Sequence, residues 1–284
     1  MILVTGAAGK SGMAVIEALA ARGERVHAFV HRESHIGPAL TRGASMASVG
    51  SLHDADGIAR ALKGARAIYH ICPNVSPNEL RFGHAAAEGA VRAGVRRFIY
   101  HSVLHPQVEA MPHHWEKMKV EAMLFASGLD VTILQPTAYM QNLRAGWTAI
   151  VNEGVLRVPY PAESRISLVD LDDVAEAAAI VLADDTHVGA TYELVGTPPL
   201  SQTAVAEVIG KTIGRPVLVE SETPDDWATR ARASGMDEHR RETLVRMFRY
   251  YASHGLVGNP NTLRWLLGRA PTSLPAFVRR AESR

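Results

Sequence analysis

The chain opens with Met1-Ile2-Leu3-Val4-Thr5-Gly6-Ala7-Ala8-Gly9-Lys10-Ser11-Gly12, and this stretch decides its fold. A short apolar strand runs into three glycines, and a helical apolar pattern follows at once. Gly6 permits a tight turn, Gly9 lets main-chain amides approach a diphosphate, and Gly12 lets strand and helix pack closely. The helix N-terminus adds unpaired N–H groups and a partial positive charge. The stretch predicts a dinucleotide-binding turn, with Lys10 and Ser11 contributing; a structural turn before a surface helix is the alternative, because the spacing is Gly-x-x-Gly-x-x-Gly.

The second predicted strand, at 25–30, bears on which dinucleotide binds. His31 and Arg32 follow that strand, about 20 residues past the glycines, where an NAD site usually carries an acidic side chain on the ribose. A guanidinium at this position can pair with a 2′-phosphate, and Lys10 is a second candidate cation. The pattern therefore favours NADP, while the neighbouring Glu33 keeps NAD as the alternative.

Composition describes an ordinary globular chain of 284 residues with 47% hydrophobic and 21% charged residues. Its net charge of +1 gives no electrostatic reason to expect a nucleic-acid or membrane partner. Cys72 is the single cysteine, which excludes an intrachain disulfide and predicts a reducing, cytoplasmic location. No apolar run approaches membrane-spanning length. The clustered histidines lack the cysteines or the His-Glu-x-x-His spacing of a zinc site, so we expect no metal.

Strand and helix patterns alternate through the first half of the chain. After the first two strands we predict strands at 45–49, 67–71, 97–101 and 131–134, and helices at 54–62, 80–93 and 115–126. This alternation predicts an α/β fold with a Rossmann-type, doubly wound parallel sheet, whose ligands lie beyond the carboxyl ends of the strands.

The pattern loosens after about residue 143. We expect a dinucleotide-binding domain over 1–143, with a return segment within 165–195, and a smaller, mostly helical substrate lobe over 144–284. Asp170, Asp172 and Asp173 precede an Ala-rich helix, and their complementarity to its dipole is a sufficient explanation for them.

Short motifs are distributed along the rest of the chain. They are His31-Arg32, His114-Trp115-Glu116-Lys117 before Val120-Glu121, Gln135-Pro136-Thr137, Met140-Gln141-Asn142-Leu143, and the segments 169–175 and 265–273. In this order and spacing, and together with the glycine turn, they resemble the NmrA-like family of atypical, extended-type short-chain dehydrogenases/reductases. The resemblance covers nearly the whole chain.

The resemblance implies a Rossmann domain that binds NADP or NAD and a smaller lobe that shapes a substrate cleft. Family members include reductases of quinones, aromatic dyes and phenylpropanoid compounds, and also redox sensors without catalytic activity. We therefore expect an NAD(P)-dependent reductase of a small aromatic, quinone-like or conjugated carbonyl compound. A dinucleotide-binding regulator is the alternative, and whether the chain forms a homodimer stays open.

The sequence departs from the superfamily at the catalytic tyrosine. A Tyr-x-x-x-Lys motif would place tyrosine four residues before Lys117, and this chain has His113. The loss argues against an epimerase or dehydratase, whose sugar chemistry relies on a phenolate base. It leaves the regulator hypothesis open and removes the usual proton donor.

The remaining candidate residues follow strands or share one helix face. The resemblance places Lys117 on the nicotinamide ribose. His113, Lys117 and Glu121 are spaced by four, as in a solvated charged stripe or a site. His113 can exchange a proton near neutrality or simply face water, and Ser102 is the candidate hydroxyl for polarising a carbonyl. The other predicted cofactor residues are Ser51, Leu52, Cys72 and Pro73, and the predicted substrate residues are His105, Trp115, Tyr139 and Asn142.

Overall fold

The computed structural model describes residues 1–283, which form an α/β fold built on a seven-stranded sheet. The strands are β1 (Ile2–Val4), β2 (Val26–Val30), β3 (Met46–Val49), β4 (Ala67–His70), β5 (Arg97–His101), β6 (Asp130–Pro136), β7 (Ala138–Tyr139), β8 (Val155–Val158), β9 (Leu168–Val169), β10 (Thr191–Leu194) and β11 (Leu218–Ser221).

Helices connect the strands and make up most of the chain after β9. They are α1 (Lys10–Ala21), α2 (Ile36–Thr41), α3 (Ala55–Ala61), α4 (Glu79–Arg92), α5 (Pro112–Phe125), α6 (Trp147–Glu153), α7 (Leu171–Ala183), α8 (Gln202–Ile213), α9 (Pro224–Ala233), α10 (Glu238–His254), α11 (Asn261–Leu267) and α12 (Leu274–Glu282). Within residues 1–283, no helix combines the length and the apolar character needed to cross a membrane.

The main sheet has the strand order β10-β6-β5-β4-β1-β2-β3. The pairs β1–β2, β2–β3, β1–β4, β4–β5 and β5–β6 are parallel. Strands β2 and β3 are added on one side of β1, and β4, β5 and β6 are added on the other side, which confirms the predicted doubly wound topology. The loops that follow these strands share one edge of the sheet, where ligands of such folds bind.

The core of this sheet follows from strands that are apolar on both faces. Every residue of β1, β2, β4 and β5 is buried, as expected for parallel strands covered by helices. Ile58 of α3 and Leu62, its C-cap residue one turn later, pack with Phe98 in one cluster that also contains alanines of α4. Ala86 and Ala90 lie one helical turn apart, so α4 presents an alanine face to this core.

The chain divides into two compact units. The first comprises residues 1–107, 113–135 and 174–192, and the second comprises residues 108–112, 136–173 and 193–284. The division predicted at residue 143 stays a prediction. The two-stranded parallel pair β8–β11 lies in the second unit and was not predicted. Both strands have only four residues and β11 is mostly exposed, so neither shows a clear apolar alternation.

The aspartates at the start of α7 have structural partners that the sequence analysis did not foresee. Asp173 is 1% exposed and accepts hydrogen bonds from Arg269 Nη2 at 2.7 Å and from the Thr272 N–H and hydroxyl. Asp170 is fully buried, accepts from Gln141 Nε2 at 2.8 Å and pairs with Arg280. The explanation by the helix dipole alone is therefore wrong: these carboxylates fasten the segment 265–280 to the start of α7.

Candidate functional site

The glycine turn joins β1 to α1 in the conformation that the sequence predicted. Gly6 has φ +59°, and a Cβ there would lie 2.7 Å from the Ile71 carbonyl oxygen. A Cβ on Gly12 would lie 2.3 Å from the Gly6 carbonyl oxygen, so the first turn of α1 packs directly on the loop. Only residues without a side chain fit at both positions.

The N-terminus of α1 is open to a ligand. Gly9 is the N-cap and supplies no side-chain hydrogen bond, and the first turn carries no acidic residue. Lys10 is exposed and Ser11 is half-buried. Uncapped N–H groups, a positive helix end and an adjacent lysine form an arrangement that suits a diphosphate.

Two further loops end at the same sheet edge. His31 and Arg32 follow β2 and are exposed, and the His31 ring lies 4.8 Å from that of His35. Beyond β3, Ser51 is exposed and its hydroxyl accepts from the His53 N–H at 3.2 Å, while Leu52 is half-buried. The roles predicted for these residues toward the adenosine half of a cofactor stay predictions.

Lys117 is buried in α5 and points at the end of β5. Its ammonium donates to Glu79 Oε1 at 2.8 Å and to the His101 carbonyl at 3.3 Å, and it lies 5.3 Å from the centre of the Tyr100 ring. Lys117 is 9% exposed and Glu121 is 3% exposed. The solvated-stripe interpretation of this helix face is therefore wrong, and the ion-pair partner of Lys117 is Glu79 of α4 rather than Glu121.

Glu79 is a charged group in the interior. Burial raises the pKa of this carboxyl, but the charge of Lys117 and hydrogen bonds from Lys117, Cys72 and Tyr100 outweigh burial and bring the pKa below its ordinary value. The Tyr100 hydroxyl donates to the same oxygen as Lys117, at 2.8 Å. Glu79 is therefore a carboxylate at neutral pH.

Ser102, directly after β5, is 3% exposed and donates its hydroxyl proton to Glu121. The Gln135 amide donates to both oxygens of Glu121 at 3.0 Å. Burial raises the pKa of Glu121, and the two donors oppose that rise. A hydroxyl has one proton to donate, so Ser102 would have to turn away from Glu121 to polarise a carbonyl.

The histidines near Lys117 are neutral at physiological pH. Burial lowers the pKa of His113 and of His101 to about 3, and the Lys117 charge acts in the same direction. Burial lowers the pKa of His114 to about 4, although its Nδ1 lies 3.3 Å from the His105 carbonyl. His113 is half-buried, and its lowered pKa means that it does not take up a proton near neutrality as the unperturbed side chain would; its catalytic role stays a prediction.

The other predicted residues are placed as follows. Cys72 is buried after β4, and burial together with the negative charge of Glu79 raises the pKa of its thiol, while Pro73 is exposed. His105 and Trp115 are half-buried and belong to the first compact unit, and His105 has φ +54°. Tyr139 is half-buried and Asn142 is exposed, and both belong to the second unit. Their joint role in binding a substrate stays a prediction.

Sequence reasoning missed the groups that surround the Lys117 ammonium, which are Glu79, the Tyr100 ring and the His101 carbonyl. Glu79 stands at a helix start, where an acidic residue is explained by the helix dipole alone, and Tyr100 and His101 look like ordinary strand residues. One signal was present: all three belong to elements next to the predicted ligand-binding sheet edge.

Comparison with known proteins assigns the chain to a family. The sequence profile of the NmrA-like family matches residues 1–278. The chain belongs to the NmrA-like family. This confirms the resemblance that the dispersed motifs indicated.

Two curated relatives and one crystal structure resemble this NmrA-like protein over its whole length. Quinone oxidoreductase 2 of Escherichia coli is 26% identical, with 98% of this chain and 97% of the relative covered. The NAD(P)H azoreductase of Xenophilus azovorans is 25% identical, with 98% and 97% covered. The crystal structure of an NADPH-dependent quinone oxidoreductase from Escherichia coli, complexed with NADPH, superimposes with a TM-score of 0.86 at 25% identity and covers 99% of this chain and 100% of that one.

Proposed function

We propose that this NmrA-like protein is an NADPH-dependent reductase of small aromatic compounds such as quinones. The proposal is based on the full-length similarity of this chain to two reductases. The first turn also has Gly6 and Gly12, at which a side chain would not fit, and an uncapped helix end. Arg32 and Lys10 give the cofactor site the positive charge that a 2′-phosphate requires. NADP(H) therefore fits better than NAD(H), although Glu33 is also near.

Each part of the site has a distinct task in this proposal. Main-chain amides at residues 9–12 bind the diphosphate, and Lys117 hydrogen-bonds the hydroxyls of the nicotinamide ribose. Bound NADPH supplies a hydride. The Glu79 carboxylate and the His101 carbonyl hold the Lys117 ammonium in place, so Lys117 is already oriented when the ligand binds.

Quinones suit a site of this composition. A reduced quinone oxygen is stabilised by its own ring, so it needs less help from an acid than a simple carbonyl does. The half-buried His113 is neutral at pH 7 and is therefore a poor proton donor, so we assign the proton to water. The product is then a hydroquinone, formed from the quinone by one hydride and one proton.

The test separates cofactor binding from turnover. Binding of NADPH is measured by fluorescence titration, and oxidation of NADPH is then followed by absorbance with benzoquinones, naphthoquinones and azo dyes. We expect saturable binding and turnover with at least one quinone. Tight binding without turnover on the whole panel would contradict the reductase proposal.

A regulator that senses the redox state of NADP is the second candidate. It is favoured by His113 in the place of the superfamily tyrosine and by a Ser102 hydroxyl that already donates to Glu121. Affinity capture from cell extract with NADP or NADPH present distinguishes the two. A regulator would retain a partner in only one redox state, whereas a reductase would show no such difference.

A further inference from the structure

Glu79 and Lys117 form an ion pair in which both charged groups are buried. Glu79 is 2% exposed and Lys117 is 9% exposed. A buried charge without a partner is strongly unfavourable, so each member depends on the other. Of the three ammonium hydrogens of Lys117, one is directed to Glu79 and one to the His101 carbonyl, which leaves one for a ligand.

Glu79 is the carboxylate that directly balances the charge of Lys117 among residues 1–283. His70 and His101 also interact with Lys117, but their pKa values of about 4 and about 3 leave them neutral at pH 7. The Glu121 carboxyl is near enough to interact electrostatically, yet its hydrogen bonds come from Ser102 and Gln135. The net charge that Lys117 presents to a ligand is therefore set mainly by Glu79.

We propose that Glu79 is a positioning residue whose negative charge sets the relative affinity of the site for oxidised and reduced cofactor. The inference rests on the proposed function, in which Lys117 contacts the nicotinamide ribose. The nicotinamide ring carries a positive charge in NADP⁺ and none in NADPH. A lone ammonium beside the ring would repel NADP⁺ selectively, and Glu79 offsets that repulsion.

The charge can be removed at nearly constant shape with Glu79→Gln. Dissociation constants for NADP⁺ and NADPH are measured by isothermal titration calorimetry at one fixed pH. We expect the ratio of Kd for NADP⁺ to Kd for NADPH to rise about tenfold, the effect of one unit charge within nanometre range of the ring. Both dissociation constants are measured on the same variant, so a lower fraction of active protein affects them equally and cancels in the ratio.

Three further variants separate charge from structure. Glu79→Asp keeps the charge and is expected to restore a ratio within about threefold of the wild type. Tyr100→Phe removes a hydrogen bond to Glu79 and leaves its charge, so the ratio should stay the same. Glu116→Gln removes a carboxylate that pairs with Lys119 at 2.6 Å on the same helix and is the surface control.

The opposite substitution keeps the proposal testable if Glu79→Gln does not fold. Lys117→Met removes the ammonium whose repulsion Glu79 offsets, and burial then favours the protonated form of Glu79, so the ratio should stay within about threefold of the wild-type value. An unchanged ratio in Glu79→Gln, or a rise in Lys117→Met as large as that expected for Glu79→Gln, overturns the inference. Failure of the wild-type protein to bind either form would instead overturn the proposed function.

Discussion

Thr5 and His70 join the glycine turn to the neighbouring strand. The Thr5 hydroxyl lies 2.9 Å from His70 Nδ1 and accepts from the Ile71 N–H at 3.0 Å. The His70 ring stacks on Tyr100, with ring centres 6.0 Å apart, and its Nε2 is buried without a hydrogen-bond partner. An imidazole in this setting resists protonation, and burial lowers its pKa to about 4.

Stability should therefore decrease as the pH falls from 7 to 5. The unfolded chain binds a proton at this histidine near pH 6.5 and the folded chain does not, so unfolding gains a proton and becomes more favourable in that window. The contribution of His70 is about 2 kcal/mol between pH 7 and pH 5. Urea unfolding at both pH values measures it.

The variant His70→Phe should lose about 2 kcal/mol less than the wild type over the same pH interval, whatever its stability at pH 7. His84→Gln is the matched control, because His84 is exposed on α4. Equal losses for His70→Phe and the wild type would show that His70 does not stay neutral in the folded state.

At the scale of elements, α1 depends on a close approach to the loop before it. Gly12→Ala would force its Cβ against the Gly6 carbonyl, and we expect the free energy of unfolding to fall by about 1–3 kcal/mol, as is typical of overpacking. We also expect the affinity for NADPH to be at least tenfold weaker. Gly146→Ala is the control, because nothing lies within 4 Å of a Cβ there. It should change stability by less than about 1 kcal/mol and leave binding intact. Normal NADPH binding by Gly12→Ala would exclude the proposed diphosphate site.

The start of α7 holds the C-terminal segment through buried carboxylates. Asp173→Asn weakens three charge-assisted hydrogen bonds, one from Arg269 and two from Thr272, and should lower the free energy of unfolding by about 2 kcal/mol. Asp172→Asn, whose side chain is 58% exposed, should cost less than about 1 kcal/mol. Chemical denaturation of both variants compares them, and equal effects would refute the anchoring role of Asp173.

At the scale of the whole molecule, a ligand that binds only the folded chain stabilises all of it. NADPH at 100 times its Kd should add about 2.7 kcal/mol to the free energy of unfolding. Thermal unfolding with increasing NADPH measures the shift, and Gly12→Ala should show little of it at the same concentrations. A midpoint that is independent of NADPH would contradict the cofactor assignment.

Elements with strong local signals were predicted well. The strand at 97–101 coincides with β5, and the predicted helix at 54–62 overlaps α3, because apolar periodicity and turn residues mark both ends. Short elements were missed: β8 has only four residues, and α2 spans only Ile36–Thr41. Both are too short for a repeating apolar pattern to stand out in the sequence.

The sequence by itself determined the fold class, the family and the place of the glycine turn, since glycine spacing and apolar periodicity are local properties. Only the tertiary structure decided that Lys117 pairs with Glu79, 38 positions earlier in the chain, and that Ser102 donates to Glu121. It also decided that His113 is neutral at pH 7. Hydrogen-bond partners and pKa values depend on burial and on groups that folding brings from distant positions, and these cannot be inferred from neighbours along the chain.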